Sequence, residues 1–239
     1  MYHRISNTRY ADDLQQFKRH IAKLKEEYPI IRPGEMPAGR DAVCLTFDDA
    51  YVDFYNDVFP ILKTLNIPAT LAVPVKYILQ TTDVPMATRL AVSPDNAMDD
   101  EVWPKLAPFC TWDEIRTMVD SGLVTIANHT YSHANLTHDF DFEKEIIKSN
   151  AILEQQTGSS VTTFVYPYGK MTRALQKRLR KHFTYIMRIG SAINHRFGTL
   201  WGSIYRIDAE HVWPSGDVPT ALQLSKWRRK YYWNLLRMK

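Results

Sequence analysis

Cysteine is almost absent. Two residues, Cys44 and Cys110, have no motif spacing and so suggest neither a disulfide framework nor a thiolate metal site. Cys44, inside the apolar run AVCLTF, reads as a small core residue. Long apolar runs are missing too: no stretch of about 18 apolar residues occurs, so no membrane-spanning helix is predicted. The first residues lack the basic-then-apolar pattern of a signal peptide, so two expectations stand side by side: a place in the cytoplasm or on the cytoplasmic side of a membrane, or a leader that is missing from this sequence. There is no internal repeat and no low-complexity segment. Charge of one sign is not in large excess either. Thirty Lys and Arg against 26 Asp and Glu leave a net charge of +4, too little to predict a nucleic-acid partner.

What is present suits one globular α/β domain. Of 239 residues, 45% are hydrophobic and 23% charged, enough apolar material for a sizeable core. Short apolar runs rich in β-formers alternate with amphipathic stretches. Strands are expected at 41–47, 67–73, 123–128, 161–167 and 183–189. Helices are expected at 55–66, 111–122, 141–158 and 172–182. The helix at 111–122 has a capping box, Thr111 with Glu114, and Gly122 as its stop. This alternation predicts parallel strands wrapped by helices. Residues 76–108 break the rhythm with several prolines and the acidic cluster MDDE, and read as a functional loop or a bland surface insertion. The domain is expected to span 1–225, followed by a basic, aromatic tail over 226–239.

Three polar motifs each follow a strand. LTFDDAY places Asp48 and Asp49 after AVCLTF. NHTYSHANL places His129 and His133 after LVTIAN. VYPYGK places Pro167, Tyr168 and Gly169 after VTTFVY. In a parallel barrel the carboxyl ends of the strands share one face, so the three clusters become neighbours there. His129 and His133 are i and i+4 and would share one face of a helical turn. Two imidazoles and a carboxylate make a three-ligand site for a zinc-like ion with a position left for water. Such an ion lowers the pKa of water, and the second aspartate can accept its proton. The Pro-Tyr-Gly turn can aim a backbone N–H at an oxyanion. Each motif alone is weak; their joint placement is specific.

TFDDAY, HTYSH and YPYG resemble the first three motifs of the polysaccharide deacetylase family, the NodB-homology domain of carbohydrate esterase family 4. The resemblance covers about Val43 to Ile207. It implies a distorted (β/α) barrel of fewer than eight parallel strands, and metal-dependent hydrolysis of N-acetyl groups on a polysaccharide containing N-acetylhexosamine. It also implies roles. Asp48 is the general base; Asp49, His129 and His133 are the metal ligands; and the backbone N–H of Tyr168, after Pro167, serves the oxyanion. The expected cofactor is one divalent ion, zinc first, with nickel, cobalt and iron as alternatives.

The chain departs from the commoner family pattern in two places. The arginine two residues before the central proline of the third motif is replaced by Val165. The late apolar-histidine motif is missing, and the surroundings of His211 do not match it. Met1-Tyr2-His3-Arg4 resembles the N-terminal "YH" motif of the branch of poly-β-1,6-N-acetylglucosamine deacetylases. That likeness implies that His3 is the acid that protonates the leaving amine. Phe17, Ile21 and Leu24, in the amphipathic stretch that follows, are expected to pack and anchor its segment.

Other residues complete the expected site. Arg206 and Asp208 follow another strand-like run and would form a rim salt bridge that orients Asp48 or the substrate, or a purely structural pair. Trp112, Tyr131 and Trp201 would stack on sugar rings. The expected partner is an N-acetylated glycan. The tail, with cations, aromatics and leucines interleaved, would lie on an anionic membrane surface or bind an anionic polymer, or else pack as a final helix through Trp227, Tyr231 and Leu235. Two rival functions share the scaffold: a catalytically silent carbohydrate-binding protein, and a metal-dependent amidase acting on a small non-sugar amide.

Overall fold

The computed structural model describes residues 1–5, 14–36, 39–197, 202–209 and 218–237. Helix α1 (Leu14–Glu27) precedes six strands that lie in chain order in one sheet: β1 (Thr46–Phe47), β2 (Ala69–Val73), β3 (Val124–Asn128), β4 (Thr163–Val165), β5 (Tyr185–Ile189) and β6 (Ser203–Arg206). Every neighbouring pair is parallel. Parallel neighbours need long crossovers, and helices supply most of them. Helix α2 (Phe59–Leu65) joins β1 to β2. The short helices α3 (Met86–Ala91), α4 (Pro94–Ala97) and α5 (Trp103–Leu106), then α6 (Trp112–Asp120), lie between β2 and β3. Helix α7 (Ser149–Thr157) leads to β4 and α8 (Arg173–Leu179) to β5. Helix α9 (Ala221–Leu236) follows β6.

The first two residues close the barrel. Tyr2 N–H donates to the Thr46 carbonyl at 3.0 Å, and the Tyr2 carbonyl accepts from Asp48 N–H at 2.9 Å, a parallel bridge to β1. On the other flank, the Met1 nitrogen donates to the Ile207 carbonyl at 2.6 Å, and the Met1 carbonyl accepts from Ala209 N–H at 3.0 Å. Met1 and Tyr2 therefore span the gap between β1 and the chain just past β6. The result is a distorted (β/α) barrel with fewer than eight strands.

The barrel interior is narrow, and its residues are chosen to fit. Ala72, Ala127, Val165, Met187 and Ile204 form one buried cluster drawn from β2 to β6. Ala72 is in register with Ala127, and Val165 with Met187 and Met187 with Ile204; Ala127 pairs with Thr163, two residues before Val165, so the five side chains lie on one sheet face in two adjacent layers. The largest cluster packs α1, α2 and α6 against the outer face. Phe17 and Ile21 of α1 are fully buried and Leu24 nearly so. Tyr2 sits in this cluster, edge-on to Phe17 and stacked on Phe47, and its hydroxyl lies 3.0 Å from His20 Nε2. Neither cysteine is in a disulfide.

Some elements differ from their predicted extents. Only Thr46 and Phe47 of the 41–47 run pair with β2. Upstream, Val43 is held by Ile30 and Ile31 instead: Ile31 N–H donates to the Val43 carbonyl, and Val43 N–H to Pro29, both at 2.9 Å. The helical stretches at 55–66 and 141–158 each begin with a π-helical segment, Phe54–Val58 and Glu143–Lys148. The capping box of Thr111 and Glu114 is formed as predicted. Glu114 also receives Arg89, whose guanidinium donates to the Ala107 and Phe109 carbonyls as well, clamping the 76–108 segment to the start of α6. The tail is part of α9, which starts at Ala221 behind a Thr220 capping box. Trp227 and Tyr231 are buried against the barrel and Leu235 is half-buried.

Candidate active site

The segments just past β1, β3 and β4 converge at one rim, and each departs from ordinary backbone geometry. Asp49, Ala50, Thr130, His133 and Tyr168 all have positive φ, between 56° and 70°. Non-glycine residues are uncommon in this region, and such outliers cluster at active sites. The two histidines are not on a helix. They lie in a loop after β3, and the left-handed turns at Thr130 and His133 bring their ring centroids to 4.8 Å.

Hydrogen bonds hold that loop from beneath. Asn128 Oδ1 accepts from Thr130 N–H at 2.8 Å, and Thr130 Oγ1 accepts from Ala134 N–H at 3.0 Å. The buried Glu145 carboxylate accepts from Ser132 N–H at 2.9 Å and from Ser132 Oγ at 2.8 Å. The Glu145 carbonyl takes Tyr131 N–H at 3.0 Å. Sequence reasoning missed Glu145 and Asn128. Glu145 lies in a stretch whose helical pattern reads as a solvated face, and nothing local marks it as the floor of another loop.

Asp49 faces both rings. Its Oδ1 lies 3.5 Å from His129 Nε2 and 3.3 Å from His133 Nε2, yet it is buried without a hydrogen-bond partner. Tetrahedral coordination with bonds of ~2.0–2.2 Å separates neighbouring ligand atoms by ~3.3–3.6 Å. The two spacings match that edge length, and one ligand atom from each of the three residues lies within 4.8 Å of the others. The ring tautomers suit the same purpose. His129 Nδ1 is 2.8 Å from the Val165 carbonyl, so it carries the proton and leaves the Nε2 lone pair turned to Asp49. Burial pushes the His133 pKa down to about 4, so its ring is neutral at pH 7, the form that ligates a metal. Burial alone would raise the Asp49 carboxyl; the nearby histidines, His133 foremost, lower it to about 2. The donor set fits a divalent ion.

Asp48 is positioned by an arginine from across the barrel. Arg206 Nη1 donates to Oδ1 at 2.6 Å and Nη2 to Oδ2 at 2.7 Å, and Nη1 also reaches Thr46 Oγ1 at 3.2 Å. Burial would raise the Asp48 carboxyl, but this guanidinium overrides it and holds the group well below the usual carboxylate range. His3 is partly exposed, with Nε2 4.0 Å from Asp48 Oδ2. The buried Tyr2 beneath it and Ile5 beyond it, whose N–H donates to Asp53 at 2.7 Å, fix its segment.

Pro167 is buried at the start of a 3₁₀ turn, Pro167–Gly169, and Tyr168 stands out from it, exposed, with φ 58°. The Tyr168 hydroxyl is 3.2 Å from His133 Nδ1. Tyr131 is half-buried, with the Lys144 ammonium 5.1 Å from its ring centre. Asp208 is half-buried two residues past β6. Trp112 requires a correction: it is buried in the main core at the start of α6, so its ring has no free face for a sugar. The 76–108 segment borders the histidine loop: Lys76 N–H donates to the Tyr131 carbonyl at 2.8 Å and the Tyr77 hydroxyl to the Ser132 carbonyl at 3.2 Å. Trp201 and His211 lie outside the described residues.

Comparison with known proteins places this geometry. The family model for polysaccharide deacetylase matches residues 35–185. Poly-beta-1,6-N-acetyl-D-glucosamine N-deacetylase of Escherichia coli K12 is 27% identical over 190 residues, covering 67% of this chain and 26% of that protein. The protein of the same name from Staphylococcus aureus MRSA252 is 25% identical over 180 residues, covering 70% of this chain and 54% of that one. The chain therefore matches about a quarter to a half of the length of these relatives. Among solved structures, IcaB from Ammonifex degensii superposes with a TM-score of 0.69 at 21% identity, over 95% of this chain and 94% of that one, which shows a shared fold.

Proposed function

We propose, on the premise that this chain belongs to the polysaccharide deacetylase family, that it hydrolyses N-acetyl groups from a β-1,6-linked N-acetylglucosamine polymer and does so with a divalent metal. The observation that carries the reading is the buried triangle of Asp49 Oδ1, His129 Nε2 and His133 Nε2 beside an arginine-paired Asp48. The linkage comes from the names of the relatives in E. coli and S. aureus.

A divalent ion held by Asp49, His129 and His133, zinc before nickel, cobalt or iron, would supply Lewis acidity toward an amide carbonyl and a water of lowered pKa. The remaining work belongs to the chain. Arg206 keeps Asp48 ionised at any working pH. Each Asp48 oxygen receives one guanidinium N–H and keeps a lone pair to accept a proton from the attacking water. Tyr168 N–H donates to the oxygen that becomes negative in the tetrahedral intermediate. His3, on the Asp48 side of the site, delivers a proton to the amine as the C–N bond breaks. Acetate and a free amino sugar leave. Tyr131 and Asp208 border the sugar-binding rim, with Pro167 as its rigid floor. A silent carbohydrate binder would have no use for a buried, oriented carboxylate beside a metal triad.

Acetate release tests this directly, using β-1,6- and β-1,4-linked N-acetylglucosamine oligomers with added zinc and with chelator. Chelator-sensitive release from the β-1,6 oligomer is expected. No release from either oligomer, with zinc shown to be bound, would overturn the proposal.

A further inference from the structure

Helix α9 has two faces with different chemistry. Trp227, Tyr231 and Asn234 are buried against the barrel, and Asn234 Nδ2 donates to the Gly190 carbonyl at 3.0 Å, one residue past β5. The opposite face is apolar and cationic together. At 3.6 residues per turn, Leu222, Lys226, Arg229, Trp233 and Leu236 fall in one stripe along the helix, bordered by Lys230, Arg237 and Tyr232. Leu222, Tyr232, Trp233 and Leu236 are each more than half exposed, and they make up most of the large exposed hydrophobic residues of the described chain. The helix contains no acidic residue. Arg228 pairs with Asp41, but no carboxylate among the described residues pairs with Lys226, Arg229 or Lys230.

We propose that this face of α9 docks the protein on an anionic lipid surface. Four considerations favour lipid. Unpaired cations along one face call for an anionic partner. Trp and Tyr beside Lys and Arg suit the headgroup boundary, where rings bury their apolar body and cations meet phosphates. Leu222 and Leu236 gain from acyl chains and gain nothing from the charged backbone of a nucleic acid. The glycan substrate is uncharged while acetylated and becomes a polycation as acetyl groups leave, so a cationic stripe repels its product. That last exclusion rests on the deacetylase reading; the first three do not. A helix of 16 residues is about 24 Å long, enough for contact over several turns lying flat. Its C-terminal end is tied beside the strand ends that carry the active site, so docking would hold the site near the lipid surface.

The test is co-sedimentation of the full chain with phosphatidylcholine vesicles, with and without phosphatidylglycerol. Binding is expected only with the anionic lipid, weakening as salt rises, with a blue shift of tryptophan emission. Lys226→Glu/Arg229→Glu/Lys230→Glu should weaken it by about tenfold or more. Leu222→Ser/Trp233→Ser/Leu236→Ser should abolish the emission shift. All six positions are exposed, so acetate release from a soluble oligomer should be unchanged in both variants. Absence of binding to anionic vesicles, binding by both variants equal to that of wild type, or equal binding to DNA with no emission shift would each overturn the proposal. If acetate release persists in any of these cases, the active-site reading still stands.

Discussion

Two buried arginines in this protein each grip a carboxylate with two hydrogen bonds. Arg89 holds Glu114 at 2.7 and 2.8 Å, and Arg206 holds Asp48 at 2.6 and 2.7 Å. The local chemistry is the same, and the surroundings make the difference. Arg89 also donates to two carbonyls, and Glu114 closes a capping box, so most of the donors and lone pairs of this pair are taken. That pair is a clamp between the 76–108 segment and α6. Asp48 has Asp49 and two histidines beside it and His3 at 4.0 Å, and Arg206 leaves Nε without a partner. A nearly saturated pair fixes structure; a pair with more spare lone pairs on a rim of left-handed backbone is arranged for chemistry.

The largest effect should come from the group beside the pair. Asp49→Asn keeps the shape and removes the charge that binds metal. Bound zinc, measured on the dialysed protein, should fall to background, and acetate release by on the order of a thousandfold. Next, the two arginines can be exchanged for methionine in parallel. Arg89→Met strands a partly buried carboxylate and should cost about 2–4 kcal/mol of stability in urea unfolding, with kcat per folded molecule close to wild type. Arg206→Met should destabilise on the same scale and also lower kcat by about a hundredfold. Equal loss of kcat in the two variants, at matched folded fraction, would break the distinction.

Acid should weaken the rim. The folded Asp49 pKa, about 2, lies below its ordinary 3.8. A lowered carboxyl contributes stability that is complete above the ordinary value and is lost as pH falls toward the folded one. Urea unfolding of the metal-free protein should therefore show stability dropping between about pH 4 and pH 2, by on the order of 2 kcal/mol from this group. Asp49→Asn should flatten that slope. The smallest effect belongs to Tyr168→Phe. It removes a 3.2 Å contact to His133 but keeps the backbone N–H, so zinc affinity should fall by about tenfold at most, with acetate release retained at saturating zinc.

Much of this architecture is legible along the chain. Strand positions after residue 60, the Thr111–Glu114 capping box and the convergence of three motifs on one rim all follow from local patterns. Hydrophobic periodicity and capping are written within a few residues of where they act. Less legible were features whose partners are distant. The i, i+4 spacing of His129 and His133 suggested a helical turn, but the loop's positive φ angles depend on Asn128, Thr130 and Glu145 holding it from below. Trp112 looked like a sugar platform because aromatic residues near a site invite that reading; its burial depends on how α6 packs.

The sequence by itself determined the inventory: an α/β barrel, two aspartates and two histidines placed after strands, and a terminal helix without an acid. Those follow from residue type and short-range spacing. Only the tertiary structure decided how they act together. Arg206 reaches Asp48 from 158 residues away. Met1 and Tyr2 lie between the first strand and the chain beyond the last, which seats His3 at the rim. The exposed stripe of α9 exists because Trp227 and Tyr231 take the inner face. The physical reason is common to all three: contact between residues far apart in the chain is set by how barrel closure and helix packing bring them together, which no local pattern encodes.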